Sequence, residues 1–225
     1  MANSRLIRLL ENNRTLIAAA EEAGIRRIVH ISITNPSEDS PFPYFRGKAL
    51  VEKAIIQSKL SYAITRPTVI FGPEGILMNN IAWLLRKFPI FAIPGSGDYR
   101  IQPVFVEDIA EIAVTAGHKD DSIIMDAVGP EVFTFDELVR LIASKIDSKA
   151  KIVHVRPRLA LFLARLIGYA VRDVVITKDE IRGLMSNLLV SESPPTGQTL
   201  LSEWLEQNAD RVGAGYTSDL QRHYR

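Results

Sequence analysis

The chain has 225 residues, of which 47% are hydrophobic and 24% are charged, which is enough length and apolar content for a large domain with a core. It carries 27 Lys and Arg against 26 Asp and Glu, and this even balance argues against nucleic acid as a partner. The chain has no cysteine and only four scattered histidines. We therefore exclude disulfides and thiolate chemistry and expect no metal site.

The hydropathy pattern predicts a protein without a membrane span. No apolar run reaches the roughly 18 residues that crossing a bilayer requires, because the longest one, from Leu159 to Val171, is interrupted by Arg165. The N-terminus opens directly into a helical pattern and has no secretion-signal features. We expect a soluble protein with a cytoplasmic location.

Helices and strands alternate through the first 130 residues. Strand 28–33 is apolar on both faces, which is typical of a parallel sheet covered by helices, and Gly24 suits the left-handed end of the helix before it. The alternation predicts an α/β fold. In chain order the predicted elements are helix 4–23, strand 28–33, loop 34–43, helix 44–58, strand 61–66, helix 79–87, turn 94–98, strand 101–106, helix 107–116 and strand 123–128.

Beyond Gly129 the pattern becomes mostly helical. Thr134 with Glu137 and Thr177 with Glu180 have the spacing of capping boxes, which mark helix starts, and a last helix is predicted over 200–208. His154 has the context of a surface position on a strand. The division predicts one region over 1–130, with interleaved cleft segments, and a mostly helical cover region over 131–225.

Three residues of the first region have the chemistry of an acid–base site. Ser32 ends a buried strand, Tyr44 opens the next helix, and Lys48 lies four residues later on the same helical face. Lowering a tyrosine pKa from about 10 to about 7 requires roughly 4 kcal/mol, which a lysine cation together with a cationic nicotinamide could supply. Tyr44 would then serve as acid and base, and Ser32 would fix the substrate oxygen. A lysine four residues after a tyrosine also arises by chance, so the pair gains meaning from its place in the strand and helix order.

Four stretches together resemble the extended or atypical short-chain dehydrogenase/reductase superfamily. Within it, the chain is most similar to the epimerase/dehydratase-like and NmrA-like proteins, a group that includes the nucleotide-binding accessory subunit of respiratory complex I. The resemblance covers roughly residues 5–190. The stretches are Ala18-Ala19-Ala20 through Gly24 to Ser32, Tyr44-x-x-x-Lys48, Arg66-Pro67-Thr68-Val69-Ile70-Phe71-Gly72, and Tyr99-Arg100 through Asp108.

The resemblance implies a Rossmann-like parallel sheet with helices on both faces, a nicotinamide cofactor, NAD or NADP, and a small-molecule or sugar-nucleotide substrate. It makes Tyr44 the acid/base, Lys48 the ligand of the nicotinamide ribose and Ser32 the positioning residue. The nicotinamide would pass Pro67, Thr68 and Val69. Substrate would lie near Arg100, which matches a phosphate-binding position, and near Asn79 or Asn80; an exposed arginine and a helix-capping asparagine are the alternatives.

The sequence departs from the family at the phosphate site. Its 13 glycines contain no G-x-G-x-x-G, the turn that holds the pyrophosphate at a helix N-terminus. The sheet is therefore expected to be incomplete, and tight dinucleotide binding would need a surface from elsewhere. Strand Ile28 to Ile33 would also have a bare edge, which proteins rarely leave uncovered. We predict that a second copy, in a homodimer, or a partner chain pairs with it.

Two classes of function follow. In the first, Ser32, Tyr44 and Lys48 catalyse oxidoreductase or epimerase chemistry on a hydroxyl or carbonyl, with NAD(P) held with help from another chain. In the second, the protein is a non-catalytic remnant of the fold that acts as a sensor, an assembly factor or a partner-binding protein. The missing phosphate turn favours the second, and the intact Ser, Tyr and Lys favour the first.

Overall fold

A computed structural model describes residues 2–218, with backbone alone for residues 2–7 and 9; His223 lies outside the described residues. The helices are α1 (Ala2–Glu22), α2 (Pro43–Ile56), α3 (Ile76–Lys87), α4 (Val106–Gly117), α5 (Phe135–Lys145), α6 (Pro157–Val171), α7 (Lys178–Leu184) and α8 (Leu201–Gln207). The strands are β1 (Arg27–Ile31), β2 (Ser61–Pro67), β3 (Val69–Phe71), β4 (Ile90–Pro94), β5 (Arg100–Ile101), β6 (Pro103–Phe105), β7 (Ile123–Ala127), β8 (Phe133–Thr134) and β9 (Lys151–Val155).

A parallel sheet of order β1-β2-β7 carries the first region. The chain enters it from α1 through Gly24, whose φ of 71° ends the helix in the left-handed conformation that the sequence predicts. Each connection between neighbouring strands contains a helix, as a parallel sheet requires. The predicted α/β class is confirmed, and helix α2 starts within one residue of its predicted position.

Helices cover both faces of this sheet. On one face, α1 and α2 form a cluster with the sheet that includes Ile17, Val51 and Ile64. On the other face α4 packs against β1 and β2, and an added Cβ at Gly117 would lie 3.3 Å from Val29. This double cover explains why β1 and β2 are apolar on both faces.

The second region is less helical than the sequence predicts. Strand β9 pairs in parallel with β4, and β8 pairs antiparallel with β5, so strands from the two predicted regions share their sheets. Predicted strand 101–106 is two short strands, β5 and β6, separated by Gln102. The main core joins α3, α5 and α8 to these strands. His154 lies on β9, as predicted, with its Nε2 atom 2.9 Å from Asp136 Oδ1.

Strand β1 is an edge strand within residues 2–218. It pairs with β2 on one side, and the described part of the chain places no strand on its other side. Whether a second copy or a partner chain completes this edge stays a prediction. The described helices include none that is both long and apolar enough to cross a membrane.

Candidate active site

Ser32 lies at the carboxyl end of the sheet, where the predicted site begins. Its backbone N–H donates to Thr65 O at 2.7 Å, and Thr34 N–H donates to Pro67 O at 2.9 Å, so the parallel pairing continues beyond β1. The Ser32 residue is 2% exposed, and its Oγ is buried with no hydrogen-bond partner. A buried hydroxyl without a partner costs free energy, and because this atom is covered by protein, a ligand could bond to it only after a neighbouring group moves.

The chain returns to the same edge at the start of α2. Pro43 occupies the first turn, where its missing N–H is harmless, and Phe42 and Phe45 are buried in a cluster with Ile33. This anchor fixes the loop between Ser32 and α2. Tyr44 lies between the two anchored aromatics and is 62% exposed, and its hydroxyl has no hydrogen-bond partner among the described residues.

Lys48 links Tyr44 to the strand end. Its Nζ atom lies 6.0 Å from the centroid of the Tyr44 ring and donates to Ile31 O, the residue before Ser32, at 3.0 Å. The structure therefore brings the predicted set of Ser32, Tyr44 and Lys48 together. The four-residue spacing places phenol and ammonium on one face of α2, and the strand end supplies the acceptor that holds the ammonium.

The pKa values at the site reflect partial desolvation. Partial burial raises the pKa of the Tyr44 phenol. Burial also lowers the pKa of Lys48, and the Glu52 carboxylate opposes that shift. The chain alone thus does not give Tyr44 the lowered pKa of an acid–base tyrosine; a further cation would be needed.

A buried charge cluster under Lys48 was not predicted from the sequence. Glu52 lies one turn beyond Lys48, and Arg66 donates to its two carboxylate oxygens at 3.1 and 2.6 Å. His30 Nε2 is buried without a hydrogen-bond partner. Two features of the sequence could have indicated this cluster: the four-residue spacing of Lys48 and Glu52, and the arginine just before Pro67.

The buried His30 side chain should make the stability of the fold sensitive to acid. Burial, and then the nearby Lys48 cation, lower the pKa of His30 from 6.5, against a smaller opposing effect of Glu52. The unfolded chain therefore binds a proton more readily than the folded chain, so this contribution to stability is complete above about pH 6.5 and is lost as the pH falls. We expect His30→Gln to flatten the decline of the free energy of unfolding between about pH 7.5 and 5.5. His118→Gln, at an exposed histidine, is the control, and an unchanged slope in His30→Gln would contradict the prediction.

Pro67, Thr68 and Val69 lie at the carboxyl end of β2, beside the segment that follows Ser32. Pro67 accepts the Thr34 N–H, the Thr68 hydroxyl donates to Gln102 O, and Val69 opens β3. The predicted nicotinamide-facing residues thus share an edge of the sheet with Ser32. The Thr68 hydroxyl is already bonded to backbone, so Thr68 shapes this edge through its backbone.

An irregular segment, residues 187–199, runs along the same edge. The side-chain amide of Asn35 donates to Leu188 O and Val190 O, and Gln102 donates to Gly129 O while accepting from Ser191 N. The sequence predicts a mostly helical C-terminal region with a break at 194–197 before its last helix, and the structure has irregular chain over the longer stretch 187–199, held in place by side chains. This segment is held by side-chain amides such as those of Asn35 and Gln102, which carry little sequence signal.

Arg100, Asn79 and Asn80 do not hydrogen-bond to Ser32, Tyr44 or Lys48. Arg100 pairs with Glu192 at 3.2 Å on the surface. Asn79 accepts from Gly213 N, and Asn80 both donates to Thr217 O and accepts from Thr217 N. The two asparagines thereby fasten the segment after α8 to α3, and a substrate role for the three residues stays a prediction.

Solved structures confirm the fold. The chain is similar to an NADPH-dependent quinone oxidoreductase from Escherichia coli, at 19% identity and a TM-score of 0.68, covering 87% of this chain and 70% of that one. It is also similar to a nucleoside-diphosphate-sugar epimerase from Staphylococcus aureus, at 18% identity and a TM-score of 0.67, covering 88% and 69%. The protein has a Rossmann-like α/β fold, as these epimerase and reductase structures do.

Curated proteins give more specific relatives. The chain is 29% identical over 189 residues to NADH dehydrogenase [ubiquinone] 1 alpha subcomplex subunit 9 of Arabidopsis thaliana, covering 79% of this chain and 47% of the relative. It is 26% identical over 163 residues to photosystem II assembly factor Ycf39 of Guillardia theta, covering 71% and 50%. The similarity to these proteins, together with the fold, fits the resemblance to the extended short-chain dehydrogenase/reductase superfamily that the sequence motifs indicate. No protein-family model matches, and the chain spans about half the length of these curated relatives.

Proposed function

We propose that this chain forms the substrate-side half of an NAD(P)-dependent oxidoreductase or epimerase that acts on a hydroxyl or carbonyl. The observation that supports this most directly is the position of Lys48, whose ammonium is held at the Ile31 carbonyl beside Ser32 and lies 6.0 Å from the centroid of the Tyr44 ring. Tyr44, one turn earlier on α2, has an exposed ring and an unbonded hydroxyl. Together the three residues supply two hydroxyls and one ammonium at one strand end.

The residues present fit the nicotinamide half of a dinucleotide. Lys48 supplies a cation for the ribose hydroxyls, and the backbone of Pro67 to Val69 borders the same edge. They do not fit the pyrophosphate half, because residues 32–42 between β1 and α2 contain no glycine and α2 begins with a proline. A dinucleotide bound here would need its phosphates held by another surface.

In the proposed reaction, Tyr44, Ser32 and Lys48 have separate roles in proton transfer. A bound nicotinamide would supply the hydride acceptor in an oxidation and the hydride donor in a reduction. Tyr44, as the phenolate, would take the hydroxyl proton of an alcohol in the oxidation, and as the phenol it would return a proton to the carbonyl oxygen in the reduction. Ser32 would donate a hydrogen bond to that oxygen once a neighbouring group uncovers its Oγ, and Lys48 would favour the phenolate electrostatically.

The bare edge of β1 is the proposed place for the missing surface. A strand from a second copy or from a partner chain would extend the sheet beside β1 and bring its own strand-to-helix turn to the carboxyl edge. This arrangement would supply the phosphate site and cover Val29 and Ile31, whose side chains are partly exposed.

A second candidate function is a non-catalytic one, in assembly or partner binding. The relatives favour it, since one is named as a subunit of a larger dehydrogenase and another as an assembly factor. In this case the β1 edge would still bind a partner chain, and the Ser32 and Tyr44 hydroxyls would take no part in turnover.

Calorimetric titration of NADH and NADPH into the purified chain, with its mass in solution measured on the same sample, separates the two. Micromolar dissociation constants, about 8 kcal/mol, in a chain of dimeric mass would support the enzyme. Absence of binding at millimolar cofactor by the chain alone, and by the chain with any partner that co-purifies, would contradict it and favour the second function.

Variants of α2 test the assigned roles. We expect Lys48→Ala to weaken dinucleotide binding about tenfold to a hundredfold, the range for a lost hydrogen bond to a charged group. Tyr44→Phe should leave binding nearly unchanged and abolish proton transfer. Lys53→Ala, which removes an exposed lysine of the same helix that pairs with Glu38, is the control, and an equal loss in Lys53→Ala would contradict the role of Lys48.

A further inference from the structure

Helix α6 carries an unusual outward face. Leu159, Phe162, Leu166 and Tyr169 follow one another at spacings of three and four residues, which places them along one side of the helix. All four are between 47% and 89% exposed. Large apolar side chains in an unbroken row on a surface mark an interaction site far more often than isolated ones do.

Arginines flank this row. Arg158 and Arg165 are seven residues apart, so they lie on the same side of α6 next to the apolar row, and Arg172 continues the spacing at the helix end. The chain from 156 to 172 contains four arginines and no aspartate or glutamate. The side chains of Arg158, Arg165 and Arg172 form no hydrogen bond or ion pair within the described residues.

The helix is held firmly with this face outward. Ala160 and Gly168 are buried on the opposite side, and an added Cβ at Gly168 would lie 2.5 Å from Asp173 O. Asp173 N–H donates to Gly168 O at 3.0 Å, and the Asp173 carboxylate accepts from the Tyr216 hydroxyl at 3.1 Å. The exposed row is therefore a fixed surface of the fold.

We propose that α6 binds the surface of a bilayer that contains anionic phospholipids. The apolar row would enter the boundary between headgroups and acyl chains, with Phe162 and Tyr169 as aromatic anchors, and the arginines would contact lipid phosphates. Charge complementarity selects this partner, because a flank of unpaired arginines without any acid matches an anionic surface. A groove of about 890 Å³ at the carboxyl end of α6 is lined by residues that include Arg165, Tyr169, Arg172 and Asp173. The Asp173 carboxylate is engaged by the Tyr216 hydroxyl, so the two arginines are the charged groups left for a headgroup phosphate.

Vesicle co-sedimentation of the full chain tests the proposal. We expect binding to phosphatidylcholine vesicles that contain about one third phosphatidylserine, and at least tenfold weaker binding to phosphatidylcholine alone or in about 0.5 M salt. Phe162→Gln with Leu166→Gln, and separately Arg158→Gln with Arg165→Gln, should each weaken binding about tenfold or more. Val114→Gln, at an apolar residue of α4 that is 61% exposed, should leave it unchanged.

Three results would overturn the proposal. Absence of binding to the anionic vesicles would remove it directly. Equal binding by the Phe162→Gln, Leu166→Gln variant would show that another surface binds lipid. A dimer in solution that this variant converts to monomer, without vesicle binding by the original chain, would assign the face to a second copy. None of these outcomes depends on the dinucleotide site, which NADH titration tests separately.

Discussion

Replacement of Glu52 by glutamine is expected to lower the free energy of unfolding by about 3 kcal/mol. The Glu52 side chain is 4% exposed and lies 2.6 Å from Arg66, so the substitution leaves a partly buried guanidinium without its counter-charge. It also removes the carboxylate that opposes the lowered pKa values of Lys48 and His30. Urea denaturation of the purified variant measures the change.

Glu38→Gln is the matched control for this experiment. Glu38 pairs with Lys53 of α2 at 2.9 Å, but both side chains are about half exposed, and such pairs contribute about 0 to 1 kcal/mol. A loss of less than about 1 kcal/mol in Glu52→Gln would contradict the buried-pair interpretation. The double variant Glu52→Met, Arg66→Met should recover much of the stability, because an apolar pair removes both buried charges together.

The Glu52 and Arg66 pair matters for the site because the Glu52 carboxylate favours the charged form of Lys48. Lys48 is held at its ammonium by Ile31 O and lies one turn from Glu52 on α2. Loss of the carboxylate would therefore disfavour the charged form of Lys48, which is the form that the proposed chemistry needs. In the enzyme interpretation, Glu52→Gln should weaken dinucleotide binding as well as stability, whereas Glu38→Gln should change neither.

The core of the site could be predicted because it is local in sequence. Ser32, Tyr44 and Lys48 belong to one strand, one loop and one helix, and their positions follow from helical spacing and from the end of an apolar strand. The parallel pairing of β1 with β2 is also a short-range consequence of a strand, helix and strand order. These features depend on patterns within about 35 residues.

Other features depend on contacts between distant residues and could not be read from the sequence. Strand β4 pairs with β9 across about 60 residues, and Asn80 holds Thr217 from a position 137 residues away. Segment 187–199 lacks helical or strand periodicity, and it is fixed by side chains such as Asn35 and Gln102. Sequence periodicity indicates an element but not its partner, so these pairings could not be predicted.

The Tyr44 pKa shifts in the direction opposite to the one that the sequence predicts. The spacing of Tyr44 and Lys48 predicted an ammonium that stabilises the phenolate, but in the folded chain that ammonium bonds to Ile31 O and faces the ring. Desolvation then dominates and raises the pKa. The chain by itself therefore lacks the lowered phenol pKa that an acid–base tyrosine needs.

Replacement of Gly129 by alanine is expected to cost about 3 kcal/mol of stability or more. A Cβ at this position would lie 1.9 Å from Pro103 O and 3.0 Å from Pro103 C, so backbone of β6 or of the turn after β7 must move. The movement would also disturb the Gln102 side chain, which donates to Gly129 O at 2.8 Å and accepts from Ser191 at the cover segment. Urea denaturation measures the loss.

Gly215→Ala is the control, because an added Cβ there meets nothing within 4 Å. Its stability should stay within about 0.5 kcal/mol of the original chain. A loss in Gly129→Ala as small as that of the control would mean that β6 yields easily to the turn after β7. The carboxyl edge of the sheet would then move easily. The hydrogen bond from Thr68 to Gln102 O could not hold a nicotinamide site in place before a ligand binds. A large loss confined to Gly129→Ala would instead mean that close backbone contact between the end of β7 and β6 fixes this edge before any ligand arrives, as the proposed catalytic function requires.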